Sequence, residues 1–262
     1  MSTPEPTIQL TDEQIAFYHR EGYLAIDALT TREEVETLRE LIDEMFASRT
    51  GHDDGDHHDL VGQDDEHPAL PQICFPEKYH PQLKELLLRA NANVMARQLL
   101  GAGATAAAGA MILKPARYGA ETPWHQDIAY WDPALEHNAL TIWIPLQEAT
   151  IENGCMQFVP RSHTGKLLPH RSMNDDPHIH ALEIEPGAIN HIKGVVPCPL
   201  PAGGATFHHF GTLHYAGPNR TDHPRRAYIL DALTPPTRRD QPLEMPWQER
   251  WRTSRSEKLS KQ

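Results

Sequence analysis

The stretch Thr122-Pro123-Trp124-His125-Gln126-Asp127-Ile128-Ala129-Tyr130-Trp131 sets an imidazole and a carboxylate two residues apart among aromatic side chains. On an extended backbone, residues i and i+2 point to the same side. His125 and Asp127 can therefore hold one metal ion between them. Two ligands do not close a site, so a third must come from elsewhere in the chain. Most of the later histidines need no explanation beyond polarity, but His214 stands apart by context. It ends the β-prone run Thr206-Phe207-His208-His209-Phe210-Gly211-Thr212-Leu213 and precedes the turn sequence Gly217-Pro218-Asn219. Eleven residues beyond His214 stands Arg225, followed by Arg226, at the start of the next β-prone run.

Two histidines and one carboxylate form a facial set that leaves three octahedral positions open, the pattern of non-haem Fe(II) centres that bind oxygen and a chelating cosubstrate. Zinc closes tetrahedrally or takes a different ligand count. An arginine one strand past the distal histidine offers a planar fork for a carboxylate. Arg226 would face the other side of the strand, which favours Arg225. The residues thus predict an iron site with a dicarboxylic keto acid beside it.

The bulk numbers agree with a globular enzyme. The chain has 262 residues, of which 39% are hydrophobic, enough for a sizeable core. Its 23 prolines favour turns and short strands over long helices. A formal net charge of −12 argues against nucleic acid or an anionic membrane as partner and leaves a small molecule as the expected one. Oligomeric state is not readable. The three cysteines, Cys74, Cys155 and Cys198, form no CxxC pair and suggest reduced thiols in the cytoplasm. No run approaches a membrane span, and Met1–Leu10 lacks the apolar core of a signal peptide.

Along the chain, Thr11 and Gln14 spell a capping box before a first helix, and Tyr23–Asp27 reads as a short strand. Thr31 caps a second helix carrying Val35, Leu38, Leu41, Ile42 and Met45 at helical spacing. Residues 51–67 are crowded with Asp and His but lack apolar periodicity, which predicts a solvated loop able to serve as a lid. Pro81–Leu100 is amphipathic and ends at Gly101. From Ala104 short β-prone runs take over: Ala106–Leu113, Leu140–Leu146, Cys155–Val159, Leu182–Ile184, Ala205–His208 and Ala227–Leu233. They predict a sandwich or jelly roll. No linker divides the chain. The expectation is a single domain over residues 1–262, with a helical N-terminal layer over 11–100, a β core over about 104–234 and a partly ordered extension over 235–262.

These residues carry a family resemblance. Trp124-His125-Gln126-Asp127-Ile128-Ala129-Tyr130-Trp131 resembles the HQDxxYW signature of the phytanoyl-CoA dioxygenase family of Fe(II)/2-oxoglutarate oxygenases. Trp143-Ile144-Pro145-Leu146, Glu152-Asn153-Gly154-Cys155, Pro160-Arg161-Ser162-His163 and His214-Tyr215-Ala216-Gly217-Pro218-Asn219 followed by Arg225 fit the same family. The resemblance covers about Thr11 to Thr234. It implies an α+β, mainly β chain: a double-stranded β-helix (jelly roll, cupin-like) with N-terminal and flanking helices. By position it implies His125, Asp127 and His214 as iron ligands, Arg225 on the distal 2-oxoglutarate carboxylate, and further cosubstrate contacts at Gln72, Met111, Trp143 and Ala216. Fe(II), 2-oxoglutarate and O2 would then convert an unactivated C–H of a small molecule to an alcohol, with release of succinate and CO2. Halogenating relatives have a small residue at the position of Asp127, so its carboxylate points to hydroxylation, or to desaturation, epimerisation or ring closure.

Two other readings stay open on the residues alone. A cupin-like metal enzyme without 2-oxoglutarate would leave Arg225 unexplained. A binding protein that keeps the fold without chemistry would be expected to lack a ligand, and none is missing. Lys114 reads as a surface residue or an aid to an anionic substrate, and Tyr215, larger than the residue usual there, as a side chain that reshapes the pocket.

Overall fold

In the computed structural model, which describes residues 4–62 and 66–253 (the side chain of Ala108 excepted), the first helix begins as its residues dictate. Gln14 N–H donates to Thr11 Oγ1 at 3.3 Å and Thr11 N–H donates to Gln14 Oε1 at 2.9 Å. The helix α1 runs Asp12–Glu21 and ends at Gly22, whose φ of +82° suits a residue without Cβ. Thr31 caps α2 (Arg32–Ala47), which buries Val35, Leu38, Ile42 and Met45. After the short α3 (Pro76–Tyr79), the helix expected over 81–100 is split. A 3-10 turn, Pro81–Glu85, is followed by an extended Leu86 and then α4 (Leu87–Leu100). The cause lies in α2: the Glu34 carboxylate accepts from the Leu87 and Leu88 N–H groups at 2.7 and 2.9 Å, the capping that Leu86 cannot give. A last helix, α5, spans Pro246–Arg250.

The strands in chain order are β1 (Tyr23–Ile26), β2 (His57–Asp59), β3 (Pro71–Cys74), β4 (Thr105–Lys114), β5 (Thr122–His125), β6 (Leu135–Glu136), β7 (Ala139–Pro145) and β8 (Met156–Phe158). They continue as β9 (His170–Ser172), β10 (Leu182–Ile184), β11 (Val196–Cys198), β12 (Ala205–His209), β13 (His214–Ala216), β14 (Arg225–Leu233) and β15 (Thr237–Arg238). The main sheet has the order β1-β12-β7-β14-β4-β3-β2 and faces a smaller one, β11-β8-β13-β5; every pairing is antiparallel. This is the jelly roll the sequence predicts. Helices α1, α2 and α4 cover the outer face of the main sheet around Leu38, Ile42, Met95, Ile142 and Leu230. A second cluster with Trp143, Met156 and Phe158 lies between the sheets.

Two expectations change. The segment 11–100 is not only a helical layer, because β1, β2 and β3 extend the main sheet at its edges. Nor is the tract 51–67 a solvated loop throughout its described residues: Asp56, His58 and Asp59 are buried, while Asp53, Glu66 and His67 are exposed. Asp54 and Asp56 accept from Lys78 Nζ and Tyr79 Oη, and Asp59 accepts from the Ala69 and Leu70 N–H groups. Asp54, Asp56 and Asp59 have donors supplied by tertiary neighbours, which hydropathy cannot foresee; residues 63–65 of the expected lid lie outside the described residues. The extension past Thr234 is folded through residue 253. There Trp247 Nε1–H donates to the Ala129 carbonyl at 3.0 Å, and Gln248 Nε2–H donates to the Ala129 and Trp131 carbonyls at 2.9 Å each.

Candidate active site

His125 closes β5 and His214 opens β13, and the two are direct cross-strand partners. Their ring centroids stand 4.1 Å apart. Gln126 stays extended (φ −121°, ψ 130°) before a 3-10 turn over Asp127–Tyr130, so Asp127 returns to the side of His125. One ligand atom from each of His125, Asp127 and His214 lies within 4.8 Å of the others. The intervening Gln126 points away and is tied on three sides. Its N–H donates to His170 Nε2 at 3.1 Å, its Nε2–H to the Gly211 carbonyl at 2.8 Å, and its Oε1 accepts from the Leu168 N–H at 2.9 Å.

Both imidazoles have the orientation a metal requires. His125 Nδ1 sits 2.7 Å from the Pro123 carbonyl and His214 Nδ1 2.9 Å from the Thr212 carbonyl. Each Nδ1–H donates to that carbonyl, leaving both Nε2 lone pairs facing Asp127 Oδ1. Burial lowers the His125 imidazole from 6.5 and so keeps it neutral, His214 adding to the shift and Asp127 opposing it. Burial alone would raise the Asp127 carboxyl; the surrounding imidazoles, His214 foremost, outweigh it and hold it well below the usual carboxylate range. Two imidazoles and one ionised carboxylate, turned toward one another, are a donor set suited to Fe(II).

The triad opens into a cavity of about 290 Å³ between the sheets. At one end lies Arg225, only 1% exposed, its guanidinium 5.3 Å from the Trp143 ring centroid. Its Nε and Nη1 have no hydrogen-bond partner. Burial pushes this guanidinium down from 12.5 to about 9. A buried cation with idle donors costs free energy unless an anion meets it, and a carboxylate fits the fork. On the same wall, burial, with Asp127 adding to it, pushes the Asp231 carboxyl up from 3.8 to about 7.

Other expected residues divide by strand face. Gln72, Trp143 and Ala216 line the cavity with Arg225. Met111 does not: Ala110 and Ile112 on either side face the cavity, so the alternation of β4 sends Met111 into the core beneath the helices. Arg226 points outward and pairs with Asp43. Tyr130 and Trp131 line the cavity, whereas Trp124 stacks on Tyr215 outside it, with centroids 5.3 Å apart. Tyr215 therefore does not shape the pocket; its hydroxyl donates to Glu121 at 2.6 Å. Lys114 is neither exposed nor at the cavity, for its Nζ donates to the Ala216 and Gly217 carbonyls at 2.9 and 2.6 Å. Arg161 and Ser162 fasten a loop, by pairing with Glu21 and by accepting from the Leu213 N–H. Sequence reasoning missed Thr141, Asp231 and the placement of His208, all of which line the cavity. Strand register alone brings them there. Two larger clefts, of about 720 and 760 Å³, lie elsewhere, and no comparable ligand set occurs in them among the described residues.

The family model for phytanoyl-CoA dioxygenase (PhyH) matches residues 18–227. A probable alpha-ketoglutarate-dependent hypophosphite dioxygenase from Stutzerimonas stutzeri is 28% identical over 222 residues, 83% of this chain and 77% of that protein. A methylphosphonate hydroxylase from Gimesia maris is 28% identical over 232 residues, 84% of this chain and 80% of that protein. Among solved structures, EvdO2 from Micromonospora carbonacea var. aurantiaca superposes with a TM-score of 0.80 at 38% identity, covering 93% of this chain and 99% of that one. The same protein complexed with 2-oxoglutarate gives a TM-score of 0.77 at 34% identity, covering 94% and 99%. The chain belongs to the phytanoyl-CoA dioxygenase family of Fe(II)- and 2-oxoglutarate-dependent oxygenases.

Proposed function

We propose that His125, Asp127 and His214 hold the iron, that Arg225 receives the distal carboxylate of 2-oxoglutarate, and that the enzyme hydroxylates an unactivated C–H of a small molecule. One observation carries this reading: a complete His-Asp-His set and an arginine with idle buried donors share one cavity. When bound, the iron supplies the oxidising power, drawn from O2 and the decarboxylation of 2-oxoglutarate to succinate and CO2. The chain supplies position and shelter. The Pro123 and Thr212 carbonyls hold the two imidazoles by their Nδ1–H groups, so that both Nε2 atoms face inward. Trp143 and Ile229 wall the space between Arg225 and the triad, and such apolar walls strengthen the hold on a carboxylate there. Tyr130 and Trp131 form the wall next to Asp127, where a substrate would meet the site. An oxyanion or phosphonate substrate, of the kind two relatives' names describe, would have to meet that aromatic wall.

The test is direct. Purified protein supplied with Fe(II), 2-oxoglutarate and O2 is expected to release succinate slowly alone and faster with its substrate. His214→Ala is expected to lower the rate at least about 100-fold, a loss in keeping with a missing metal ligand. Succinate release that persists in that variant would refute the ligand assignment.

A further inference from the structure

The main sheet carries a row of polar side chains that strand packing does not require. His208 on β12 lies opposite Thr141 on β7, and Thr141 lies opposite Asp231 on β14. All three face the cavity. Polar groups between apolar sheets cost free energy unless they find partners. Their common neighbour is Asp127, which comes from the turn after β5 in the opposite sheet. Thr141 Oγ1–H donates to Asp127 Oδ2 at 2.6 Å. His208 Nε2 stands 3.2 Å from the same oxygen, near enough to meet it but not aligned for a hydrogen bond; the ring is 1% exposed, and neither of its nitrogens has a hydrogen-bond partner among the described residues. The second carboxylate oxygen, Oδ1, is left facing His125 Nε2 and His214 Nε2 at 3.3 and 3.4 Å.

The two oxygens thus have different surroundings. A threonine hydroxyl has one proton to give, and the 2.6 Å contact to Asp127 outcompetes the 3.4 Å contact to Asp231. A carboxylate can meet a cation with one oxygen or with both. Turning Oδ2 toward the cation would strip it of Thr141 and His208 together. We propose that Thr141 and His208 are positioning residues that hold Asp127 with Oδ1 alone turned to the metal, an inference that rests on the assignment of His125, Asp127 and His214 as ligands. The register of β12 on β7 sets both groups at once, so the main sheet orients a ligand that the smaller sheet delivers.

Co(II) titration of the metal-free protein, followed by visible absorption, reads affinity and coordination without turnover. Thr141→Val keeps the side-chain shape and loses the hydroxyl. It and His208→Leu are each expected to weaken Co(II) binding at least about tenfold, the scale for losing a partner of a metal ligand, and to change the ligand-field spectrum. Thr141→Ser restores the donor and is expected to return to within about twofold of wild type, while His208→Gln, which keeps a side-chain N–H, loses less than His208→Leu. The double variant Thr141→Val/His208→Leu is expected to be non-additive, because both groups meet one oxygen. Native affinity and spectrum in Thr141→Val and His208→Leu overturn the proposal. So does equal loss in Thr141→Ser and Thr141→Val, which would point to packing. If wild type binds no Co(II), or His125→Ala binds it as well as wild type, the ligand assignment itself fails, and that outcome is distinct from the others.

Discussion

Arg225 shows at the scale of one residue how function can be read from an unfavourable placement. Its charge is buried, its Nε and Nη1 have no acceptor, and its neighbour Trp143 satisfies only the face of the guanidinium. The buried charge with idle donors costs more than the Trp143 face returns, so replacing the cation should not harm the fold. Arg225→Met is expected to weaken 2-oxoglutarate binding to the Co(II)-loaded protein at least about 30-fold, since losing one partner of a buried charge pair costs about 2–5 kcal/mol. The same variant should unfold at the same temperature as wild type or higher, because an unpaired buried charge is removed. Calorimetric binding and a melting curve together check it: a lower midpoint with unchanged 2-oxoglutarate affinity would make Arg225 a structural residue. Arg225 was legible in the sequence because its distance from His214 and its place at a strand start are local facts. Thr141 was not. Nothing near Thr141 in the chain names its partner, and only its position opposite His208 and Asp231 brings it to Asp127.

Among the elements, the turn after β5 does the most for the site, and His170 on β9 holds it. His170 Nδ1–H donates to the Leu168 carbonyl at 2.7 Å, so Nε2 can accept from the Gln126 N–H. That role requires the neutral ring, and burial pushes its pKa from 6.5 to about 3. The unfolded chain takes up the proton near pH 6.5 and the folded chain only near pH 3, so the contribution to stability is complete above 6.5 and is lost as pH falls toward 3. His170→Leu is expected to cost about 1–3 kcal/mol at pH 7.5 by leaving the Gln126 N–H unpaired. Its disadvantage against wild type should shrink steadily as the buffer is taken to pH 4.5, measured by urea unfolding. A gap that stays constant with pH would mean the ring does not act through its lone pair. A different element, β4, carries Met111, which the resemblance sets at the cosubstrate and the strand turns into the core, and no sequence pattern there corrects it. Its sequence Thr-Ala-Ala-Ala-Gly-Ala-Met-Ile-Leu-Lys is almost wholly apolar, because helices cover one side and the cavity the other. A strand buried on both faces loses the alternation that would tell them apart.

For the whole molecule, the site joins two strands of the smaller sheet, a turn and the inner wall of the main sheet. A metal bound there ties these parts together only in the folded state. At a free Co(II) concentration of about 100 times its Kd, the gain is about 2.7 kcal/mol, or a rise in midpoint of about 5–10 °C for a chain of this size. Chelation with EDTA should reverse the rise, and Asp127→Asn should abolish it. A thermal-shift series in metal and chelator reads both outcomes, and a midpoint unmoved by saturating metal would contradict the site.

By itself, the sequence determined the ligand types and their spacing, the capped helices α1 and α2, most of the core strands and the arginine beyond the distal histidine. Each follows from contacts within a few residues, where periodicity, capping and turn chemistry act. The tertiary structure decided what depends on register between distant strands. It split the helix after Leu86 through a carboxylate on α2, folded the acidic 54–59 tract onto Lys78, Tyr79 and the chain after β2, and buried Lys114. It also placed Thr141 and His208 against Asp127. The physical reason is the same throughout: a polar group is assigned by the partner that satisfies it, and for these residues that partner lies far away in the chain. The pair His125 and Asp127 is written in three consecutive residues; which oxygen of Asp127 faces the metal is written across two sheets.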